Sequence, residues 1–335
     1  MKPTLEKLFN HETLSSSEAY DVLCTIGNGE VNAAQAAAFM SVYRLREITL
    51  EELRGFRSAL LELAVPVKLD SQDAIDLCGT GGDGRNSFNI STLSCFVVAA
   101  CGGRVIKHGN YGVSSVSGSS TVLERLGYIF TADFSLLEKS LEESGVCFLH
   151  APKFHTALKQ VAATRKDLGT RTFFNMLGPL VNPAQPSHRL TGLFSNELLR
   201  KYQYLLQETN EVYTLVHSDD GYDEISLTAP VRLVTNDKQK VYSPQEFGLT
   251  QVLPEQLSGG TTADESAQLF LTILNGEGTS AQNNVVAVNS AAALLTLGKV
   301  NSIQDGIEIT REALISGKAK QKFNSFMEAA KLTVA

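Results

Sequence analysis

Three stretches of the chain combine residue types suited to holding a multiply charged ligand. The first is Gly79-Thr80-Gly81-Gly82-Asp83-Gly84, followed shortly by Asn89-Ile90-Ser91-Thr92. Glycines let backbone N–H groups approach an anion, and an Asn with hydroxyls at a helix start meets phosphate oxygens or a metal. The second is Lys107-His108-Gly109-Asn110-Tyr111-Gly112-Val113-Ser114-Ser115-Val116-Ser117-Gly118-Ser119, a cation and an imidazole among small hydroxylated residues. It is suited to wrapping a phosphorylated ligand. The third is His217-Ser218-Asp219-Asp220-Gly221-Tyr222-Asp223-Glu224. Paired carboxylates beside phosphates hold Mg²⁺ together with ligand oxygens and water. Taken singly, each stretch also reads as a plain turn or a solvated loop. Two glycine-rich loops after neighbouring strands shift the balance, because open α/β sheets bind ligands at their strand C-termini.

Two common phosphate motifs do not fit. Gly79, Gly81 and Gly84 satisfy GxGxxG in form. The helix should then open at the third glycine, but the polar run Arg85–Asn89 intervenes, and residues 97–106 hold no acidic group for a ribose. No Lys-Ser or Lys-Thr follows the glycines, so a P-loop is excluded as well.

The elements that must position these loops change character along the chain. Residues 1–67 read as helices only. Ser15 with Glu18 and Thr49 with Glu52 form capping-box pairs, Asn32 with Gln35 is a third candidate, and Val31–Val42 is Ala-rich and helical. From residue 74 strands and helices alternate: strands at Ala74–Cys78, Arg104–Lys107, Val146–Leu149 and Glu211–Val216, and helices at Ser91–Cys101, Ser119–Leu126 and Phe134–Ser144. Ser91 or Thr92 is placed as the N-cap of its helix. Phe154–Leu168 reads as one helix ahead of a Gly/Pro/Asn-rich segment, and short strands are expected at Glu224–Leu227, Val231–Val234 and Lys240–Tyr242. Helices are expected at Leu198–Glu208, Ala263–Leu274, Asn283–Leu297, Ile303–Ser316 and Lys318–Ala330. The alternation predicts a mainly parallel sheet with helices on its faces.

Composition narrows the class further. The 335 residues (36.2 kDa) are 43% apolar and 19% charged, enough to bury a sizeable core, with formal net charge −7 and pI ≈ 5.5. An acidic chain is a poor nucleic-acid or membrane-surface binder. Cysteines 24, 78, 95, 101 and 147 form no CxxC and read as reduced thiols of a cytoplasmic protein. No signal peptide is expected. The longest apolar run, Val285–Leu297, is interrupted by Asn289 and Ser290 and is too short to span a bilayer.

The ordered blocks GTGGD with NIST, KHGN with the serine loop, Arg165-Lys166-Asp167-Leu168-Gly169-Thr170-Arg171-Thr172-Phe173-Phe174-Asn175-Met176-Leu177-Gly178-Pro179-Leu180-Val181-Asn182-Pro183, and Asp223-Glu224 resemble the anthranilate phosphoribosyltransferases of tryptophan biosynthesis. The resemblance covers nearly the whole chain. It implies a small N-terminal α-helical domain (1–67, joined by helices near 154–182) and a larger α/β domain (68–335) of the nucleoside-phosphorylase/phosphoribosyltransferase type. It implies a homodimer formed through the helical domain. It also implies a Mg²⁺-dependent pentosyl transfer, with two ions, from 5-phosphoribosyl-1-pyrophosphate (PRPP) to anthranilate, the second step from chorismate. Residue by residue, it implies PRPP contacts at Gly79, Gly82, Asp83, Ser87, Asn89, Ile90, Ser91, Thr92, Lys107, His108, Gly109, Asn110, Tyr111, Gly112, Val113, Ser114, Ser115 and Ser119. It implies anthranilate contacts at Gly79, His108, Asn110 and Arg165, and metal ligands at Ser91, Asp223 and Glu224. No residue is assigned as a catalytic acid or base.

Ser87, Tyr111-Gly112, Thr156 and Thr164 depart from the common pattern without removing a charge assigned to metal or pyrophosphate. Two rival readings fit less well. A pyrimidine-nucleoside phosphorylase shares the fold and a similar glycine loop but is longer and lacks KHGN and FNxLGPLxNP. A relative repurposed to bind nucleic acid should be basic, and this chain is acidic.

Overall fold

The computed structural model describes residues 1–112 and 117–331. The chain opens with helix α1 (Lys2–Phe9), which the sequence reading did not anticipate. Ser15 and Glu18 close a capping box over α2 (Ser16–Gly27), and Asn32 accepts the Gln35 N–H to start α3 (Ala33–Leu45). Thr49 and Glu52 cap α4 (Leu50–Glu62) in the same way.

Strand β1 (Ala74–Gly79) leads through the glycine loop to α5 (Ile90–Ala100), and β2 (Arg104–Gly109) leads through the serine loop to α6 (Ser119–Arg125). Helix α7 (Phe134–Ser144), capped by Asp133 and stopped by left-handed Gly145, feeds β3 (Val146–His150). The expected helix at 154–168 is broken into α8 (Ala151–Phe154), a short 3₁₀ turn and α9 (Lys159–Leu168). His155 leaves helical geometry between the pieces, where its buried Nε2 pairs with the Val181 carbonyl, 2.8 Å.

Strand β4 (His188–Gly192) follows, then α10 (Asn196–Leu206), β5 (Val212–Ser218), β6 (Val231–Thr235) and β7 (Gln239–Tyr242). The chain closes with α11 (Ala263–Leu274), α12 (Ser280–Thr296), α13 (Ile303–Ile315) and α14 (Lys318–Lys331).

The chain forms two compact units: residues 1–67 with 151–183, and the remainder. The helical unit packs around an aromatic cluster. Phe173 lies 4.7 Å from Phe56 and 5.7 Å from Phe39 by ring centroids, so the FNxLGPL block supplies part of that core. Glu52, fully buried, receives Arg46, the Tyr43 hydroxyl and the N–H groups of Leu14 and Thr49.

In the α/β unit, the sheet among the described residues runs β3-β2-β1-β4-β5-β6-β7. The first five strands are parallel, and β6 and β7 are antiparallel. Strand order reverses at β1, which makes its C-terminal end a switch point where open sheets leave a crevice. Helices α5 and α12 pack in the core, where Phe96 stands 5.1 Å from Phe323 and 5.3 Å from Phe326.

Two strand expectations needed correction. Strand β4 was not anticipated. The segment Glu224–Leu227 is not a strand: the Glu224 carbonyl and both backbone groups of Ile225 bond to side chains, and the Leu227 carbonyl takes a single backbone bond from Val252.

Candidate active site

The C-terminal ends of β1, β2 and β5 carry the three stretches singled out above. Gly79 and Gly192 end β1 and β4 and are paired in register. The Asp223 backbone is seated against this pair. A Cβ on Gly192 would stand 1.5 Å from the Asp223 carbonyl oxygen, and one on Gly79 would stand 2.4 Å from Asp223 Oδ2. Only glycine permits this approach. Gly81 and Gly82, at φ 61° and 70°, then turn the loop back over the acidic pair, and the Gly81 N–H donates to Asp223 Oδ2 at 2.7 Å.

Helix α5 begins here. The expected cap was Ser91 or Thr92, but the cap is Asn89, whose Oδ1 accepts the Thr92 N–H at 3.2 Å. Ser91 is thereby freed to face the site. Its Oγ accepts from Lys107 Nζ at 3.2 Å, and Lys107 also donates to the Leu77 carbonyl. Lys107 is 2% exposed. Burial opposes its charge, yet Cys95, Cys78, Asp76 and Glu224 around it hold its pKa above the ordinary lysine value.

The carboxylates behave in the complementary sense. Burial, then the neighbouring Asp223, raises Glu224 well above the carboxylate range. Burial raises Asp223 as well, and Asp83, bonded to Asp223, is pushed up to about 7 by burial and by that charge. Three crowded carboxyls that resist ionisation are a donor set matched to a hard divalent cation, which replaces their protons. Among the described residues no three His, Cys, Asp or Glu side chains are placed to hold a metal ion by themselves. Mg²⁺ needs no such trio when substrate phosphates complete its shell. Phosphate is matched too. Thr80 Oγ1, Asn89 Nδ2 and Thr92 Oγ1 are buried at the loop and helix start with no hydrogen-bond partner among the described residues.

The structure therefore gathers Gly79, Gly82, Asp83, Asn89, Ser91, Thr92, Lys107, Asp223 and Glu224 at one end of the sheet. Ser87 pairs with Ser258 in an isolated bridge at the loop's far side, and Ser119 Oγ donates to the Asn110 carbonyl at 3.2 Å. Gly109 ends β2 where a Cβ would strike Phe148. Ile90 is 1% exposed and belongs to the core, so only its backbone faces the loop. His108 alternates with Lys107 along β2 and so points to the sheet's other face, its N–H donating to Asp76 at 3.2 Å. Asn110, Tyr111 and Gly112 are exposed, and the Tyr111 hydroxyl donates to Glu124 at 3.0 Å. Val113, Ser114 and Ser115 lie outside the described residues.

In the helical unit, Arg165 is half-buried, with its guanidinium 5.1 Å from the Phe174 ring centroid. Burial lowers its pKa, and it makes no ion pair among the described residues. Gly192 and Thr80 were missed by the sequence reading. A Gly at the end of a recognised strand opposite Gly79 would have been the signal, but β4 itself was not recognised.

Comparison with known proteins matches this arrangement along the full chain. The family described as "Glycosyl transferase family, a/b domain" matches residues 71–320, and its "helical bundle domain" matches residues 2–64. An anthranilate phosphoribosyltransferase of Flavobacterium psychrophilum is 52% identical over 98% of this chain and 99% of its own. The chain belongs to the anthranilate phosphoribosyltransferase family.

Solved members of that family share the fold. The Thermus thermophilus anthranilate phosphoribosyltransferase is 35% identical with a TM-score of 0.90, covering 98% of this chain and 99% of that one. The Saccharomyces cerevisiae enzyme in complex with PRPP and Mg is 25% identical with a TM-score of 0.88, covering 98% and 97%. Among the described residues no helix is long and apolar enough to cross a membrane. The five cysteines form no disulfide, and burial pushes the Cys78 and Cys95 thiols up to about 12.

Proposed function

We propose that this chain is an anthranilate phosphoribosyltransferase: it transfers the 5-phosphoribosyl group of PRPP to the amino group of anthranilate and releases pyrophosphate. The product is N-(5-phosphoribosyl)anthranilate, an intermediate of tryptophan biosynthesis. The observation that carries this is the full-length family match joined to a buried Lys107, bonded to Ser91, facing Asp223 and Glu224 at the sheet's switch point.

In the reaction the bond from C1 of the ribose to the pyrophosphate oxygen breaks. A bond from the amine nitrogen to C1 forms, and the amine then sheds a proton. The leaving group carries the developing charge, so the protein's task is electrostatic. Lys107 and the loop N–H groups supply fixed positive charge and dipoles. Thr80, Asn89 and Thr92 supply unfilled donors at the helix start.

Ser91, Asp223 and Glu224 are the residues to hold Mg²⁺, as two ions. When bound, Mg²⁺ neutralises the leaving pyrophosphate. Asp83 adds a carboxylate beside them. The remaining PRPP positions, Gly79 to Ser119 as set out above, are carried over from the family.

Arg165 takes the anthranilate carboxylate; Gly79 and Asn110 are carried over from the family as further contacts, and His108, on the other face of β2 from Lys107, contributes only its backbone. A guanidinium without an acidic partner offers a planar fork for that group. An aromatic amine loses its proton readily once bonded to carbon, so no buried base is required.

The chain acts in the cytoplasm as a homodimer through its helical domain, here 1–67 with the helices near 154–182. Exposed Leu45 (89%) and Phe9 (58%) of the helical unit support that surface.

Purified protein, PRPP, Mg²⁺ and anthranilate should show loss of anthranilate fluorescence, abolished when PRPP is omitted. Absence of turnover with all four present overturns the proposal. Light scattering after gel filtration should give the dimer mass.

A further inference from the structure

The buried apolar stretch 285–294 of α12 carries one large polar side chain, Asn289, which is 1% exposed. Its hydrogen bonds go to backbone. Its Oδ1 accepts the Ile225 N–H at 3.0 Å, and its Nδ2 donates to the Ile225 carbonyl at 2.9 Å and to Val285 at 2.8 Å. A side-chain amide here takes the place of a neighbouring strand, both donating and accepting along the chain.

The residue it grips follows Glu224 directly. Ser218 Oγ donates to the Glu224 carbonyl at 2.7 Å, and Ser218 is fully buried. The peptide unit that follows the Glu224 Cα is therefore held by buried side chains at both its C=O and its N–H, in a segment that forms no ladder of its own. Asn289 also lines the same small cavity as Ser91, Asp223 and Glu224.

We infer that Asn289, with Ser218 as its counterpart, is a positioning residue for the Mg²⁺·PRPP site: it fixes the backbone at Ile225 and thereby the direction of the Glu224 carboxylate. This rests on the metal role proposed above. Buried amide-to-backbone bonds are costly to leave half made, so such a grip is rigid and holds one geometry. Removing partners that orient a metal ligand typically lowers metal affinity or activity about 10- to 100-fold.

The test is Mg²⁺-dependent thermal stabilisation of the full chain at fixed PRPP, alongside steady-state kinetics. Asn289→Ala should raise the Mg²⁺ concentration for half-maximal stabilisation by about 10-fold or more. It should lower kcat while moving KM for anthranilate within about 2-fold. Ser290→Ala is the control. It lies next to Asn289 on α12, and its buried Oγ has no partner among the described residues. It should reproduce the parent's Mg²⁺ midpoint.

Asn289→Asp keeps the acceptor for the Ile225 N–H and loses the donors, and Ser218→Ala frees the carbonyl end of the same peptide unit. Both should shift the midpoint in the same direction and serve if Asn289→Ala does not fold. A lowered melting temperature with the parent's Mg²⁺ midpoint would overturn the inference and leave Asn289 with packing alone. If the parent shows neither Mg²⁺·PRPP stabilisation nor turnover, the functional proposal fails instead.

Discussion

Gly192→Ala is the substitution whose effect can be worked most directly from the geometry. The added Cβ would lie 1.5 Å from the Asp223 carbonyl oxygen and 2.5 Å from its carbon, where ordinary contact begins at 3.4 Å. The obstacle is backbone, so no rotamer change relieves it. Either the Asp223 backbone retreats by about 2 Å or β4 slips from its register with β1. The two carboxylates move with that backbone. A ~1 Å error at a reacting site costs on the order of 100-fold, so kcat/KM should fall at least that far. Overpacking of this kind destabilises by about 1–3 kcal/mol, which a domain with ~5–15 kcal/mol in hand survives. The assay is the anthranilate fluorescence decay across a Mg²⁺ series, with thermal melts run in parallel. A folded Gly192→Ala protein with kcat/KM within about threefold of the parent would refute the coupling between β4 and the acidic pair.

Arg165→Ala should raise KM for anthranilate by roughly 10- to 150-fold, the worth of a charge-assisted bond, and spare that for PRPP; Lys107→Ala should do the reverse. The pair of KM values decides, and a raised PRPP value for Arg165→Ala would displace the anthranilate assignment. Asp223→Asn with Glu224→Gln should cut activity by roughly 3 kcal/mol or more in barrier terms. It should not lower the melting temperature of the substrate-free protein, because burial and mutual repulsion already disfavour these charges. Glu52 differs. Burial opposes its charge, but Arg46 and the N–H groups of Thr49 and Leu14 outweigh that and hold its pKa below the ordinary 4.5. Its contribution is therefore complete above pH ~4.5 and is lost as pH falls through the lowered folded value. Glu52→Gln should cost about 3–5 kcal/mol at pH 7 and flatten the acid limb of a stability–pH curve. An unchanged acid limb would show that other carboxyls set it.

Where an element is announced by its own ends, the sequence was legible. Helix α7 begins after Asp133 and stops at Gly145, and α11 begins after Thr262, as the caps indicate. The chemistry of Lys107, Asp223 and Glu224 was legible from residue type and from loops following strands. Strand β4 was not. His188-Arg189-Leu190-Thr191-Gly192 follows a Pro-rich segment and carries buried polar residues, Arg189 being paired with Glu211. Its identity comes from having partners on both edges. Ile225 and Leu227 alternate as a strand would, yet the Ile225 backbone is satisfied by the Asn289 side chain, distant in sequence, and the Leu227 carbonyl by the Val252 N–H. Periodicity carries no trace of such bonds, and equally none of the steric demand that Asp223 places on Gly192.

The aromatic cluster of the helical unit has a bearing on how the chain is made. Phe39 and Phe56 belong to the first four helices, but the ring that closes on them is Phe173. A nascent chain emerging at ~5–20 residues per second therefore holds the earlier helices open for roughly 5–20 s before that ring arrives. During that interval an entire α/β segment, β1 to β3, has been synthesised. The amino-terminal helices are first to leave the ribosome yet are completed only when about half the chain has been made, and a fragment ending near residue 64 should expose an unfilled aromatic socket rather than fold as an independent domain.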